Sequence, residues 1–263
     1  EWMSMAVEVD QQGAVRIIKM AGQASTQSFS MAFLPTIAEA IDAGVKDNAT
    51  KAIVLTGDGR FFSAGADINA FQQAIDNNSA PELIRNLTGV LHPLLVRIRT
   101  SSTIVVAALN GVSAGGGLGL ALACDARVGT PDARMAASYA GMGLSPDGGT
   151  TWLLPRLVGE QRARRFFMSN EIWTGEEAHE YGAIDVLVDP ASLLETATGL
   201  ATMWSSWGPH TKEATKHLLH VQTDNDFSTH LDHERTLIEA AGTTEAFKEG
   251  VAAFLEKRRP SFD

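Results

Sequence analysis

TIVVAALNGVSAGGGLGLALAC, residues 103–124, is the longest mainly apolar stretch of the chain. Its Val-rich first part, Thr103–Leu109, reads as a strand. Asn110–Gly117 reads as a turn and Leu118–Cys124 as a buried helix. A length near ~20 apolar residues matches a membrane span, but Asn110 and the crowded glycines argue for a strand, turn and helix in a water-soluble fold.

The same alternation continues outward. Val15–Met20 and Ala52–Thr56 read as strands. Between them Phe33, Ile37, Ile41 and Val45 recur every four residues, the spacing of one helix face, and Pro35 predicts that this helix either starts there or bends. TGEEAHEYG at 174–182 reads as a helix and Ile184–Val188 as a further apolar strand. Strands alternating with helices predict an α/β fold with mostly parallel pairing. After Pro190 strand patterns stop, and successive helices follow with breaks near Gly208–Pro209 and Gly242. A core over 1–195 and a helical region over 196–263 are expected.

Of 263 residues, 44% are apolar and 20% charged, which excludes a disordered chain. Lys and Arg number 21 against 31 Asp and Glu, a net charge of −10 with no basic stripe, so no nucleic-acid partner is expected. An anionic ligand would have to be held by local donors. The single cysteine, Cys124, excludes an internal disulfide and points to a reducing, cytoplasmic setting. The first residues carry no basic region followed by an apolar stretch, so no secretory signal and no membrane association are expected.

GVSAG at 111–115 matches the G-x-S-x-G nucleophile elbow and offers Ser113 as a nucleophile. No HGGG-type segment lies upstream and the later histidines sit in the helical tail, so a small residue in a crowded turn is the better reading. AGGGLG at 114–119 fails the dinucleotide fingerprint, because the third glycine would fall on Leu120 or Leu122. What survives is physical: amide N–H groups exposed at the positive end of a helix can bind an anion or polarise a carbonyl oxygen. FFSAGADI at 61–68 forms a second glycine turn, with Asp67 suited to cap a helix. Two such turns could present two N–H donors together. A third turn, GLSPDGGTTWLLPRLVG at 143–159, carries Asp147, which taken alone is an N-cap. His217/His220 and His230/His233 have i,i+3 spacing and read as solvated helix faces rather than metal ligands.

Together these turns resemble the crotonase (enoyl-CoA hydratase/isomerase) superfamily. The resemblance rests on KAIVLTGDGRFFSAGADI, IVVAALNGVSAGGGLGLALACDARV, GLSPDGGTTWLLPRLVG, TGEEAHEYGAIDVLV and FLEKRRPSF, in the family's order over nearly the whole chain. It implies a spiral of ββα turns, a carboxy-terminal helical region that builds a homotrimer or a dimer of trimers, and an acyl-CoA thioester as substrate with no further cofactor and no metal. By position, Ala66 and Gly116 resemble the two oxyanion donors. Ala64, Asp67 and Ile68 lie where the family holds the adenine end of CoA. Phe254 and Lys257 match tail residues that reach a neighbouring subunit's CoA, and the basic cluster Lys257, Arg258 and Arg259 is the expected phosphate contact.

The departures bear on chemistry. The two glutamates of enoyl-CoA hydratases would fall at 119 and 139, where this chain has Gly119 and Tyr139. Restoring carboxylates there would, on the sequence alone, create a hydratase. Asp147 resembles the aspartate of dienoyl-CoA and ring-1,2-epoxyphenylacetyl-CoA isomerases, and equally the nucleophilic aspartate of 4-chlorobenzoyl-CoA dehalogenase, whose histidine matches His92. The expected activity is double-bond isomerisation through a thioester enolate. Asp147, as a buried carboxylate, would be the acid/base, with Tyr139 lining the acyl pocket. The alternatives are hydrolysis through an Asp147 nucleophile, hydration by another route, and a silent CoA-binding scaffold.

Overall fold

The computed structural model describes residues 6–262; the amino-terminal reading above rests partly on residues 1–5, outside that span. Ten strands are ordered along the chain as β1 (Val7–Gln12), β2 (Val15–Met20), β3 (Ala52–Thr56), β4 (Phe61–Ser63), β5 (Ile104–Leu109), β6 (Val112–Ala114), β7 (Ala126–Gly129), β8 (Arg134–Ala136), β9 (Ile172–Thr174) and β10 (Val186–Leu187). They form two sheets, β1-β2-β3-β5-β7-β10 and β4-β6-β8-β9. Successive pairs (β3 then β4, β5 then β6, β7 then β8) give one strand to each sheet before a helix follows. That repetition is the ββα spiral of the crotonase fold. All pairings of the first sheet after the β1–β2 hairpin are parallel.

Burial explains the pattern. β3 and β5 are buried at every position, as continuous apolar runs must be when both faces of a parallel sheet are covered. One face, with Ile53, Leu55, Val105, Ala107 and Leu109, joins the core that includes Phe62 and Leu118. The other, with Val54, Val106 and Ala108, packs against Leu193, Ala197 and Ala201 of the helix Leu193–Ser205. That helix spans the boundary expected at 195. The helix of four-residue spacing runs Leu34–Lys46 and has Pro35 in its first turn, so the proline starts it. The strand expected over 184–188 is shorter, at Val186–Leu187.

Asn110 fastens the loop after β5 to the loop after β3. Its side-chain oxygen accepts from Gly57 N–H (2.9 Å), and its amide donates to the carbonyls of Gly59 and Phe61 (both 3.1 Å). Beside it, a Cβ on Gly111 would overlap the Arg60 carbonyl. This close approach brings the loops after β3 and β5 into register. The tail is fixed by Lys216, whose buried ammonium donates to the carbonyls of Ile98 and Thr103 (2.8 Å each) and to Asp125 (2.9 Å). Among the described residues no helix is long and apolar enough to cross a membrane.

Candidate active site

The helix Gly116–Ala123 is buried over most of its length and starts from Gly115 at φ 55°. Gly116 is its first residue, so its N–H belongs to the donors a helix leaves unmade. At the far end Arg127 donates to the carbonyls of Cys124 (2.9 Å) and Ala183 (2.8 Å) and pairs with Asp185. A cation at that end complements the macrodipole, whose positive end lies at Gly116.

Ala66 stands in the turn after β4. Among the described residues its N–H has no acceptor, while its neighbours are held: Ala64 N–H donates to Ser25 O (2.9 Å), and Phe29 N–H donates to Gly65 O (3.0 Å). Phe29 also touches the other donor, because a Cβ on Gly116 would lie 2.7 Å from its ring. One buried phenylalanine therefore joins both turns, by its main chain at Gly65 and its ring at Gly116. It has no sequence signal, since nothing in TQSFS marks that phenylalanine.

The third turn docks on the same helix. Gly148 and Gly149 both have positive φ (65° and 70°), and a Cβ on Gly119 would overlap the Gly148 carbonyl oxygen. A Cβ on Gly148 would itself rest 3.5 Å from Gly119 Cα and 3.6 Å from Gly116 Cα. The place of a side chain at 119 is thus filled by main chain. A glutamate at 119 would therefore require the Gly148 main chain to shift, a condition that the sequence expectation for positions 119 and 139 did not include.

Asp147 does not cap the helix Thr150–Val158, whose N-cap is Gly149 and has no side-chain cap bond. Its Oδ1 instead accepts from His92 Nε2 at 2.8 Å. His92 lies on the helix Ala80–Thr100, so the histidine does reach Asp147. The Asp147 and His92 side chains are 40% and 53% exposed, which corrects the expectation of a buried carboxylate. Tyr139 is buried, and its hydroxyl donates to the main-chain carbonyl of Asp147 (2.9 Å). Burial pushes its phenol up to about 12, so it is protonated at neutral pH. Thr150 Oγ1 donates to the same carbonyl at 2.9 Å.

Other sequence candidates fall as follows. Ser113 is wholly buried in β6 and out of reach of any substrate, which removes the nucleophile-elbow reading. Asp67 caps the helix Ile68–Asp76 through Asn69 N–H and Ala70 N–H, and Ile68 projects into solvent. Phe254 is 84% exposed, and Lys257 ends its helix in a left-handed conformation (φ 56°). Among the described residues no hydrogen bond or ion pair joins either to the three turns within one chain. Arg258 is engaged by Glu249 (2.6 and 2.8 Å) and Glu256 (2.6 Å), so the basic cluster is weaker than its sequence suggests. Those bonds hold the Glu249 carboxyl down at about 2. The tail histidines are not simply solvated: His217 stacks on His233 (5.9 Å between centroids) and His220 packs on Trp152 (5.2 Å). Among the described residues no group of three or more His, Cys, Asp or Glu side chains is arranged to hold a metal ion.

The family model described as enoyl-CoA hydratase/isomerase matches residues 10–263. The chain is 34% identical to 1,2-epoxyphenylacetyl-CoA isomerase of Escherichia coli (strain K12) over 236 residues, 89% of each chain. It is 30% identical to 2,3-dehydroadipyl-CoA hydratase of the same organism, over 97% of each. The crystal structure of an enoyl-CoA hydratase from Bacillus anthracis superposes with a TM-score of 0.89 at 28% identity, covering 98% of this chain and 99% of that one. The family match spans the three glycine turns and the helical tail alike, and the chain belongs to the enoyl-CoA hydratase/isomerase family of acyl-CoA enzymes.

Proposed function

We propose that the chain is an enoyl-CoA isomerase that moves a double bond through a thioester enolate. One observation carries the reading: the place of one hydratase carboxylate is filled by the Gly148 main chain, the other is a tyrosine bonded to protein, and Asp147 is presented on the turn packed against Gly116. Asp147 would take a proton from the acyl carbon and the electron pair would move into the thioester. Charge developing on its oxygen would be met by the N–H groups of Ala66 and Gly116, aided by the helix dipole. The same carboxyl would then return the proton at the far end of the allylic system, so no group is gained or lost. His92 would donate to the carboxylate and hold its orientation.

The substrate would be an acyl-CoA thioester, with the adenine end near Ala64, Asp67 and Ile68. No separate cofactor is needed for this chemistry. The exposed apolar side chains Phe227, Ile238, Phe247, Phe254 and Leu255 of the tail support assembly with copies of the chain. We assign a homotrimer or a dimer of trimers, in which Phe254 and Lys257 reach a neighbour's CoA. Sedimentation at a multiple of three times 28.1 kDa is the expected result, and a stable monomer would exclude a shared site.

Asp147→Asn should keep acyl-CoA affinity and lower turnover by roughly 10²- to 10⁴-fold. Isomerisation is followed by NMR of an enoyl-CoA in deuterated water. A variant with near-full turnover would sink the assignment. The His92–Asp147 contact also favours a second reading, in which Asp147 attacks the acyl group, expels a leaving group and is freed by water activated at His92. Turnover in ¹⁸O-water separates the two, since only the second labels the Asp147 carboxylate.

A further inference from the structure

The main chain at Asp147 is held more firmly than its side chain. Its carbonyl accepts from Tyr139 Oη (2.9 Å), Thr150 Oγ1 (2.9 Å) and Thr150 N–H (3.3 Å). The next residue, Gly148, is buried and abuts Gly119, while the carboxylate is open to solvent and has His92 as its partner. A catalytic side chain on an exposed turn can be aimed only if its peptide is fixed. Tyr139 is suited to fix it. The ring is buried, and Ser138 before it takes a left-handed conformation (φ 57°) that re-aims the chain at this point.

We infer that Tyr139 is a positioning residue: its hydroxyl clamps the Asp147 carbonyl and, with the Gly119–Gly148 contact beneath, sets the carboxylate against the oxyanion turn. This rests on Asp147 being the acid/base, as proposed above. Tyr139 itself exchanges no proton with substrate. Its hydroxyl is committed to protein, and the side chain acts through the geometry of residue 147. The hydratase position 139 has thereby become a support for the carboxylate at 147.

The test is Tyr139→Phe, which removes one oxygen and keeps the ring, measured beside Asp147→Asn and the double variant in the full-length protein. Expected are a kcat lowered roughly 10- to 100-fold, since about 1 Å of misplacement is that costly, and a KM for enoyl-CoA within about twofold. The double variant should be no slower than Asp147→Asn alone, because the tyrosine acts only through that carboxylate. Amide hydrogen exchange at Thr150, whose N–H donates to the clamped Asp147 carbonyl, and at Trp152, whose N–H donates to Gly149, should quicken about fivefold in Tyr139→Phe, the worth of one ordinary hydrogen bond. That readout does not depend on activity. Unchanged exchange at those amides overturns the clamp whatever turnover does, and a double variant slower than Asp147→Asn overturns the claim that Tyr139 works through Asp147. If Asp147→Asn alone is fully active, the isomerase reading fails, and the exchange rates still decide whether Tyr139 holds the turn.

Discussion

Replacing Gly119 by alanine adds a single methyl group at the tightest joint of the site. Its Cβ would overlap the Gly148 carbonyl oxygen and lie 3.0 Å from the Gly148 Cα and carbonyl carbon, all of it backbone. The carbonyl would have to withdraw by roughly 1 Å to restore ordinary contact. Neither side yields easily. Gly119 sits in a buried helix, and the turn is tied at Asp147 by Tyr139 and Thr150. Overpacking of this kind costs about 1–3 kcal/mol, against which the better helix propensity of alanine returns at most ~1 kcal/mol. A net loss of about 1–2 kcal/mol should lower Tm by roughly 2–8 °C in a chain of this size. Turnover should fall more steeply, about 10²-fold, because the displaced peptide carries Asp147. Differential scanning calorimetry and enoyl-CoA turnover on the same preparation check both. Gly119→Glu should be worse on each count and gain no hydration activity. A Gly119→Ala protein with unchanged Tm and turnover, or a Gly119→Glu protein that hydrates enoyl-CoA, would show that the turn yields freely and that glycine is not required.

Two further outcomes follow from the tail. Lys216→Ala strands the Asp125 carboxylate, which burial already pushes upward against the pull of the Lys216 ammonium, and should cost about 3–5 kcal/mol in urea unfolding, part of it recovered by adding Asp125→Asn. His220 is held below its ordinary pKa, first by burial and then by Arg99, so the fold favours its neutral form; this stability is present above the unfolded value near ~6.5 and is lost as pH falls through the lower folded one. His220→Gln should therefore flatten the decline of Tm between about pH 7 and 5, and an unchanged decline would assign it to other groups.

What sequence conveyed and what it concealed divide along a physical line. Ala52–Thr56 and Thr103–Leu109 were legible as doubly covered strands because burial on both faces demands uninterrupted apolar residues. The four-residue spacing from Phe33 located a helix because one buried stripe suffices to make it. Ser113 is the small crowded residue its surroundings suggested, but it lies wholly buried in β6 rather than in the turn, because its motif says nothing of the strand that carries it. The tail histidines share a helix face, as their spacing requires, but spacing does not say which helix covers that face. Tertiary contacts were least visible. His92 and Asp147 are 55 residues apart, and nothing local to either predicts that they meet.

Gly119 shows why the site resisted most. In the sequence it registers as a missing glutamate, an empty position that a carboxylate would refill. In the fold it is occupied, by the carbonyl of Gly148, and the same turn that fills it delivers Asp147. Loss of the carboxylate at 119 and presentation of the one at 147 are therefore a single packing event. A glycine can be read only as the absence of a side chain until the backbone that requires that absence is in view. Tyr139 completes the exchange, since a residue at the second vacated position now holds the peptide of the remaining acid. Changing any one of Gly119, Tyr139 or Gly148 alone should disable this arrangement before it restores the other, because Gly119 and Gly148 are fitted to each other's main chain and Tyr139 to the carbonyl of Asp147 beside them.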